Sequence, residues 1–520
     1  MAEIYQYRNL YSIIVNNARQ NPSKTMIYDG ALKISNQQLL AHADNIASYL
    51  ADSGIKAGDK VAMVMSNSWQ FVANIFAISK LGAVLVAINN FLKEDEISYI
   101  LNDSQAKILF SSAKFAKDTR EQIIKTDVEK IIWVDGAPIE NTNNLDYDKL
   151  LANPKNTAKY ADRDSEQLAL IVYTSGTTGK PKGAMLSFKN IQSNTVACIQ
   201  HLRVKHGGIK MACYLPMFHG FTLTVTVILP IITNSGVVVI RSIATKGDFA
   251  NLLKQVLLKR MPYFAGVPDV FSALSRAKLP WYFHMFHSVK GFISGAAPLA
   301  EETMRKFGES FKRGKLLQGY GISECSPVVS TNVPWANKVG SVGRALPSYQ
   351  VECFDEQMQQ VARDEIGEIC VKGDCVMMGY FNRPDDTAET IIDGWFRTGD
   401  IGKVDRDGFI YIIDRKKDLI ISKGMNIYPR EIEEIIYTHE KVNACAVVGV
   451  RDIEANETPV AYIELKEDMT ATEAEIKTFI RPFLAPFKQP RKIIFMEQLP
   501  RNATGKILKR ELRELSNKSL

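Results

Sequence analysis

"YTSGTTGKPKG", residues 173–183, packs three threonines, one serine, three glycines and two lysines into eleven positions. Almost none of it can pack a core. The run before it, Leu168-Ala169-Leu170-Ile171-Val172-Tyr173, is apolar and of strand length, and predicts a buried strand. The loop therefore leaves a strand end, where open α/β sheets hold their ligands. Its glycines let backbone approach a ligand, its hydroxyls and N–H groups suit phosphate oxygens, and Lys180 and Lys182 add charge. A plain surface turn is the usual meaning of a Gly/Ser/Thr cluster, but hydroxyls and lysines are too concentrated here for that. The Walker pattern is excluded, because only two residues separate the glycines of "GTTGKP" and Pro181 follows Lys180. A phosphate loop of another kind is expected.

Outward from the loop, apolar runs such as "KVAMVM", "AKILFSS", "KIIWVDG" and "GVVVIRS" alternate with helical segments such as "NNLDYDKLLAN" and "DFANLLKQVLLKR". Up to about residue 410 this predicts a mainly parallel α/β architecture. The pattern then changes. "KVDRDGFIYIID" reads as a hairpin turned at Asp407-Gly408. Pro429 is placed to open a helix, and a capping box, Thr472 with Glu475, to open another. "ACAVVGV", "PVAYIEL" and "KIIFME" read as strands, and a last helix is expected from about Thr504. The expected fold is a large, multi-subdomain N-terminal α/β domain, residues 1–414, and a small mobile α+β domain, 415–520, with the boundary near Asp414 to Lys417.

The totals exclude several classes. A net charge of +7 over 520 residues suits anionic substrates but does not mark a nucleic-acid binder. Seven scattered cysteines without a C-x-x-C argue against disulfide or zinc frameworks and for a reducing compartment. "MAEIYQYRNLYSII" has an early acid and no apolar core, so no signal peptide is expected, and the reading is cytoplasmic. "FTLTVTVILPIITNSGVVVI", residues 221–240, carries no charge over membrane-spanning length. Pro230 and the Thr233-Asn234-Ser235-Gly236 turn interrupt it, so it reads as a buried helix, a turn and a buried strand.

Four more stretches carry polar groups that a core would not want: "GYGISE" (319–324), "WFRTGD" ending on Asp400, "DRKKD" with Arg415 and Lys417, and "PRNATGKILKR" with Lys506. Each alone is compatible with a turn or a solvated tail. Together, and in this order, they resemble the adenylate-forming superfamily of acyl-CoA synthetases, adenylation domains and insect luciferases, most closely bacterial medium- to long-chain fatty acyl-CoA ligases. The resemblance spans about residues 25 to 510.

It implies two steps: a carboxylate attacks the α-phosphorus of ATP, releasing pyrophosphate, and a thiol, usually that of CoA, then displaces AMP. By matching motifs, Thr174, Ser175, Gly176, Thr177, Thr178 and Gly179 line the phosphates, with Lys182 supporting the loop. Gly295, Gln318, Gly319, Tyr320, Gly321 and Ser323 belong to the nucleotide site, with Tyr320 on adenine. Glu324, helped by Thr174, holds Mg²⁺, which prefers hard oxygens. Asp400 and Arg415 take the ribose, and Lys506 neutralises charge between carboxylate and α-phosphate. Lys506 must leave for the second step, so the small domain rotates, with Lys417 as pivot and Gly424 brought to the thiol tunnel. For Gly424 an ordinary turn glycine is the plainer alternative. Two positions depart from the family pattern: Ser323, where threonine is commoner, and Asp414, where many members have glycine.

The acid is less legible. Adenylation domains for amino acids carry an aspartate where this chain has Met217-Phe218-His219-Gly220, so an α-amino acid is not expected. "AGVP" with Gly266 and "SGAAPL" with Gly295, Ala296 and Ala297 resemble acyl-pocket segments, and a medium- to long-chain fatty acid is the favoured substrate. His219 reads either as a gate at the acyl mouth or as a structural histidine. "WYFHMFH" (281–287) reads either as a contact with the inner surface of a membrane or as a buried aromatic cluster. An acyl carrier protein acceptor, a fatty acyl-AMP ligase, an aryl-CoA ligase and a non-catalytic nucleotide or acyl sensor are the alternatives, and a monomer or a homodimer is compatible with all of them.

Overall fold

The computed structural model describes residues 7–115, 126–136, 144–152, 154–162, 164–174, 180–422, 425–451, 457–502 and 505–518. The strand before the phosphate loop, Leu168–Thr174, sits in a sheet that counts eight strands among the described residues. Their order is Gly379–Tyr380, Lys182–Ser187, Leu168–Thr174, Val84–Ala87, Lys60–Val64, Ala106–Ser112, Lys130–Val134, Asn144–Asp146. From Leu168–Thr174 to the Asn144–Asp146 edge every pairing is parallel. Val61, Ala62, Met63 and Val64, like Val84 to Ala87, are buried on both faces, as a parallel sheet under helices requires. Thr174 lies opposite Lys182 in the antiparallel neighbour, which fixes the two ends of the loop.

A second sheet aligns Tyr263–Gly266, Gly291–Ser294 and Lys315–Gly321 in parallel, so that Gly266, Ser294 and Gln318 stand level at their carboxyl ends. Val328–Thr331 and Arg344–Ala345 return antiparallel beside them. The apolar stretch after His219 folds as a helical segment from Gly220 to Ile232, whose middle, Leu223–Ile228, is wound as a π-helix. The strand Gly236–Val239 follows, and every residue from 222 to 240 is buried. No helix among the described residues is long and apolar enough to cross a membrane.

Past residue 350 the expected parallel pattern gives way to an antiparallel sheet of Gln350–Phe354, Gly367–Lys372, Trp395–Val404 and Ile391–Ile392, with Ile410–Arg415 paired onto Trp395–Val404. One link is the tight turn Asp405 to Gly408, where Gly408 takes φ +83°; the longer one after Lys372 carries the helix Pro384–Thr390, yet Gly367–Lys372 and Trp395–Val404 still pair antiparallel.

Ile410–Arg415 is the last strand of this sheet. The 3₁₀ turn Lys416–Asp418 follows, and the small C-terminal domain contains Ile420–Ser422 with Met425–Ile427 and the sheet Val442–Arg451, Glu457–Leu465, Lys492–Met496. Its own core gathers Ile427, Ile432, Ile436, Val447, Ile463 and Ile476. Pro429 opens the helix Pro429–Tyr437. Thr472 caps Glu473–Ile480 by accepting from Glu475 N at 3.2 Å, but the Glu475 carboxylate turns to Lys441 at 2.7 Å, so only half of the expected box forms. The last helix is Lys509–Lys518, later than expected from Thr504, which lies outside the described residues. The chain before it closes a hairpin, with Arg501 bridged to Ile507 and Leu508 N bonded to Pro500 O at 2.8 Å. "NNLDYDKLLAN" likewise splits into a strand, Asn144–Asp146, and a shorter helix, Tyr147–Ala152.

Candidate active site

A cavity of about 1890 Å³ opens between the domains and takes in strand ends of the eight-stranded and second sheets together with Phe396 to Asp400 of the antiparallel sheet. Its polar part begins at Thr174, the last residue of the loop-bearing strand. The Thr174 hydroxyl donates to Glu324 Oε1 at 3.1 Å, and the Tyr380 hydroxyl donates to the same oxygen, also at 3.1 Å. Glu324 is carried by the 3₁₀ turn Ser323–Cys325 at the end of Lys315–Gly321. Lys182 lies with its ammonium 5.4 Å from the Tyr380 ring centre and pairs with Asp386.

A second cluster forms around Asp400. It is buried in the middle of Trp395–Val404, not exposed in a turn as Thr-Gly-Asp would ordinarily be. Tyr320 donates to Asp400 Oδ2 at 2.6 Å and Arg415 Nε lies 3.0 Å from Oδ1. Burial and this carboxylate hold the Tyr320 phenol protonated. Strand pairing creates the meeting, since Asp400 stands opposite Arg415 in the antiparallel register.

Lys506 enters from the small domain. The backbone of its hairpin is fixed by Asn502, whose side-chain oxygen accepts from Lys506 N at 2.9 Å. Burial first, and then the Arg415 guanidinium, push the Lys506 ammonium down to about 8. The docked position is also held by Arg276 donating to Asn443 Oδ1 at 2.7 Å and Glu301 N donating to Glu434 Oε2 at 3.3 Å.

The apolar part of the cavity is walled by Phe221, Val225, Leu229, Ile293 and Val328, with Cys198 and Leu202 behind. Val225 comes from the π-wound middle of the Gly220–Ile232 segment, a rare winding found often at functional sites, and Phe221 and Leu229 flank it. Ser294 Oγ and Gln318 Oε1 are buried without a hydrogen-bond partner, while Gln318 Nε2 donates to Leu299 O at 2.9 Å.

A family model described as AMP-binding enzyme matches residues 14–381, and one described as AMP-binding enzyme C-terminal domain matches 431–506. The chain belongs to the AMP-binding enzyme family. A long-chain-fatty-acid–CoA ligase of Bacillus subtilis is 35% identical, over 98% of this chain and 94% of that one. A 4-coumarate–CoA ligase of Nicotiana tabacum is 29% identical over 97% and 93%. Among solved structures, ATP-bound MatB from Rhodopseudomonas palustris superposes with a TM-score of 0.88 at 29% identity, covering 98% of this chain and 99% of that one. The apo form of MatB gives 0.77 at 30% identity, over 98% and 99%.

Of the positions the motifs select, Thr174, Lys182, Gly295, Gln318, Gly319, Tyr320, Gly321, Ser323, Glu324, Asp400, Arg415, Lys417 and Lys506 all border this cavity, as do Ala296 and His219. Ser175 to Gly179 and Gly424 lie outside the described residues. Gly266 does not reach the wall: a Cβ there would stand 2.5 Å from Tyr214 Oη, so its smallness serves ring packing behind the pocket. Gly321 is likewise required by close packing, since a Cβ would meet Pro327 O at 2.0 Å. His219 has the structural role that one of its readings expected. It lines the cavity, and its Nδ1 accepts from Phe221 N at 3.3 Å to cap the helical segment, while burial drops its pKa to about 4 and keeps the imidazole neutral.

Sequence reasoning missed Tyr380 and Asp386. They stand in "GYFNRPDD", residues 379–386, where an aromatic followed by an acidic pair was the available signal. The donor set around Glu324 fits Mg²⁺, which takes one or two protein oxygens and fills its remaining positions with water and phosphate. No group of three or more acidic, His or Cys side chains gathers for a metal among the described residues.

Proposed function

We propose that this chain is an ATP-dependent, AMP-forming acid–thiol ligase that activates a medium- to long-chain fatty acid and transfers it to CoA. The observation that carries the reading is one cavity holding three things together: the Asp400 carboxylate gripped by Tyr320 and Arg415, the Thr174–Glu324 oxygen pair, and an aliphatic chamber. The curated fatty-acid ligases at 31–35% identity support the substrate class.

In the first half-reaction the substrate carboxylate attacks the α-phosphorus and the pyrophosphate oxygen leaves. Two anions must meet, so the protein's work is positioning and charge neutralisation. Tyr320 stacks on adenine, Asp400 accepts the ribose hydroxyls beside Arg415, and Thr174 with the loop after it holds phosphate oxygens. Glu324 and Thr174 would hold Mg²⁺, which when bound neutralises phosphate charge. Lys506, a flexible point charge, sits between carboxylate and α-phosphate. The higher similarity to the ATP-bound than to the apo form of MatB supports reading the docked arrangement as that of this half-reaction.

In the second half-reaction the thiolate sulfur attacks the acyl carbon and AMP leaves. Lys506 has to withdraw, and we place the domain boundary at Asp414 to Lys417, with rotation about Lys417 carrying Lys506 out and Gly424 in. CoA is the favoured acceptor over an acyl carrier protein. A seat at a membrane surface suits a substrate stored in lipid.

The deciding experiment presents the purified protein with ATP, Mg²⁺, CoA and a mixture of fatty, aryl and amino acids, with thioesters read by mass spectrometry. A dominant fatty acyl-CoA is expected. A dominant aryl-CoA would replace the substrate class, and acid-dependent pyrophosphate release without thioester would replace the acceptor.

A further inference from the structure

The helical turn Trp281–Phe286 points its apolar side chains into solvent. Trp281, Tyr282, Met285 and Phe286 are 69%, 47%, 52% and 60% exposed, while Phe283 alone is buried and pins the turn against His287, ring centres 5.5 Å apart. Trp281 contacts the rings of Tyr282 at 6.2 Å and Phe286 at 6.3 Å, so the outer side chains form one knob. A contiguous exposed group of this size marks an interaction surface rather than scattered surface residues.

Its surroundings are basic. No acidic residue occurs between Asp269 and Glu301. Arg313 donates to Met285 O. Lys290 N bonds Pro262 O at 2.7 Å and Lys315 N bonds Lys290 O at 3.1 Å, which brings Arg260, Lys290, Lys312 and Lys315 to the same edge, where the parallel strands of the second sheet begin. All four are exposed, and among the described residues none of them has an acidic partner. The nearby Glu309 is already paired with Arg305 at 2.5 Å. The cavity lies at the other end of these strands, so this edge can be covered while the small domain moves.

We propose that this edge is a docking face for an anionic lipid bilayer, with the Trp281–Phe286 knob entering the interface and the basic rim lying on the headgroups. Tryptophan and tyrosine with one apolar and one polar end suit that depth, and the lysines and arginines answer the negative surface. The fatty-acid reading supplies a use for the face, but binding itself needs no substrate.

The test is sedimentation of the full chain with vesicles of phosphatidylcholine alone or mixed with phosphatidylglycerol, without ATP or acid. Binding to the mixed vesicles that weakens with salt is expected. Trp281→Ser with Phe286→Ser should lower the partition coefficient about tenfold or more, from lost apolar contact. Lys312→Glu and Lys315→Glu should each cost about fivefold, while thioester formation from a soluble acid stays unchanged. Absence of vesicle binding, binding indifferent to phosphatidylglycerol, or binding unaltered in these variants overturns the proposal. A wild-type dimer that Trp281→Ser makes monomeric, seen by light scattering without vesicle binding, would assign the face to a second copy instead.

Discussion

Arg501 of the small domain reaches Asp269 of the large domain, Nε to Oδ2 at 3.4 Å. Asp269 stands on the first turn of Pro268–Arg276, and the other arm of Arg501 bonds Glu464 at 2.8 Å within its own domain. A Cβ on Gly505 would sit 3.1 Å from the same Asp269 oxygen, so the Lys506 hairpin rests against this acid. The pair therefore ties the lysine-bearing loop to the large domain in the docked state.

Asp269→Ala should slow acid-dependent adenylation about two- to fivefold and leave thioester formation from supplied acyl-adenylate unchanged. The effect is kept small because the Asp269 side chain is 56% exposed and such pairs contribute about 1 kcal/mol or less. Single-turnover rates of the two half-reactions decide it, and equal losses in both would remove the latch.

Lys506→Ala should reduce adenylation by about 10²- to 10³-fold, the usual cost of losing one stabilising group at developing charge. Thioester formation from acyl-adenylate should survive. Comparable damage to both halves would refute the rotation account.

The pH dependence follows from the same residue. Lys506 is pushed down to about 8, so in the free enzyme its ammonium is lost as pH rises through that value. kcat/KM for adenylation should carry an alkaline limb near there, which Lys506→Arg removes because guanidinium stays charged. The stability sign is opposite. A folded pKa below the unfolded value of a lysine destabilises below about 8, and that cost fades as pH climbs toward the unfolded value. A limb unchanged in the arginine variant would assign the titration elsewhere.

Tyr380→Phe removes one of the two hydroxyls on Glu324 Oε1 and keeps the ring beside Lys182. The Mg²⁺ concentration for half-maximal turnover should rise about tenfold, as when a partner that orients a metal ligand is lost. Glu324→Ala should weaken it further. An unaltered Mg²⁺ titration in both variants would detach the metal from this carboxylate.

Much of the fold was legible because the signals are local. The apolar run Leu168 to Tyr173, the turn at Asp407-Gly408 and Pro429 each act within a few residues, and the elements they predict are present. The end of the chain misled because the closing hairpin depends on a contact between Leu508 and Pro500 that helical propensity does not register. The late antiparallel sheet was hidden for a similar reason: parallel and antiparallel strands read alike until their partners are known, and here Gly367–Lys372 and Trp395–Val404 pair antiparallel although the helix Pro384–Thr390 stands between them.

By itself, the sequence determined which chemical groups are available and in what order, because glycines, hydroxyls, acids and lysines at set spacings carry their chemistry with them. Tertiary structure decided which of them meet. Tyr380 reaches Glu324 across 56 residues, and Thr174 reaches it across 150, because strand ends from separate sheets converge on one cavity. It also decided exposure. Nothing in "WYFHMFH" distinguishes a buried cluster from a solvent-facing knob; that depends on which side of Phe283 the domain had room to cover.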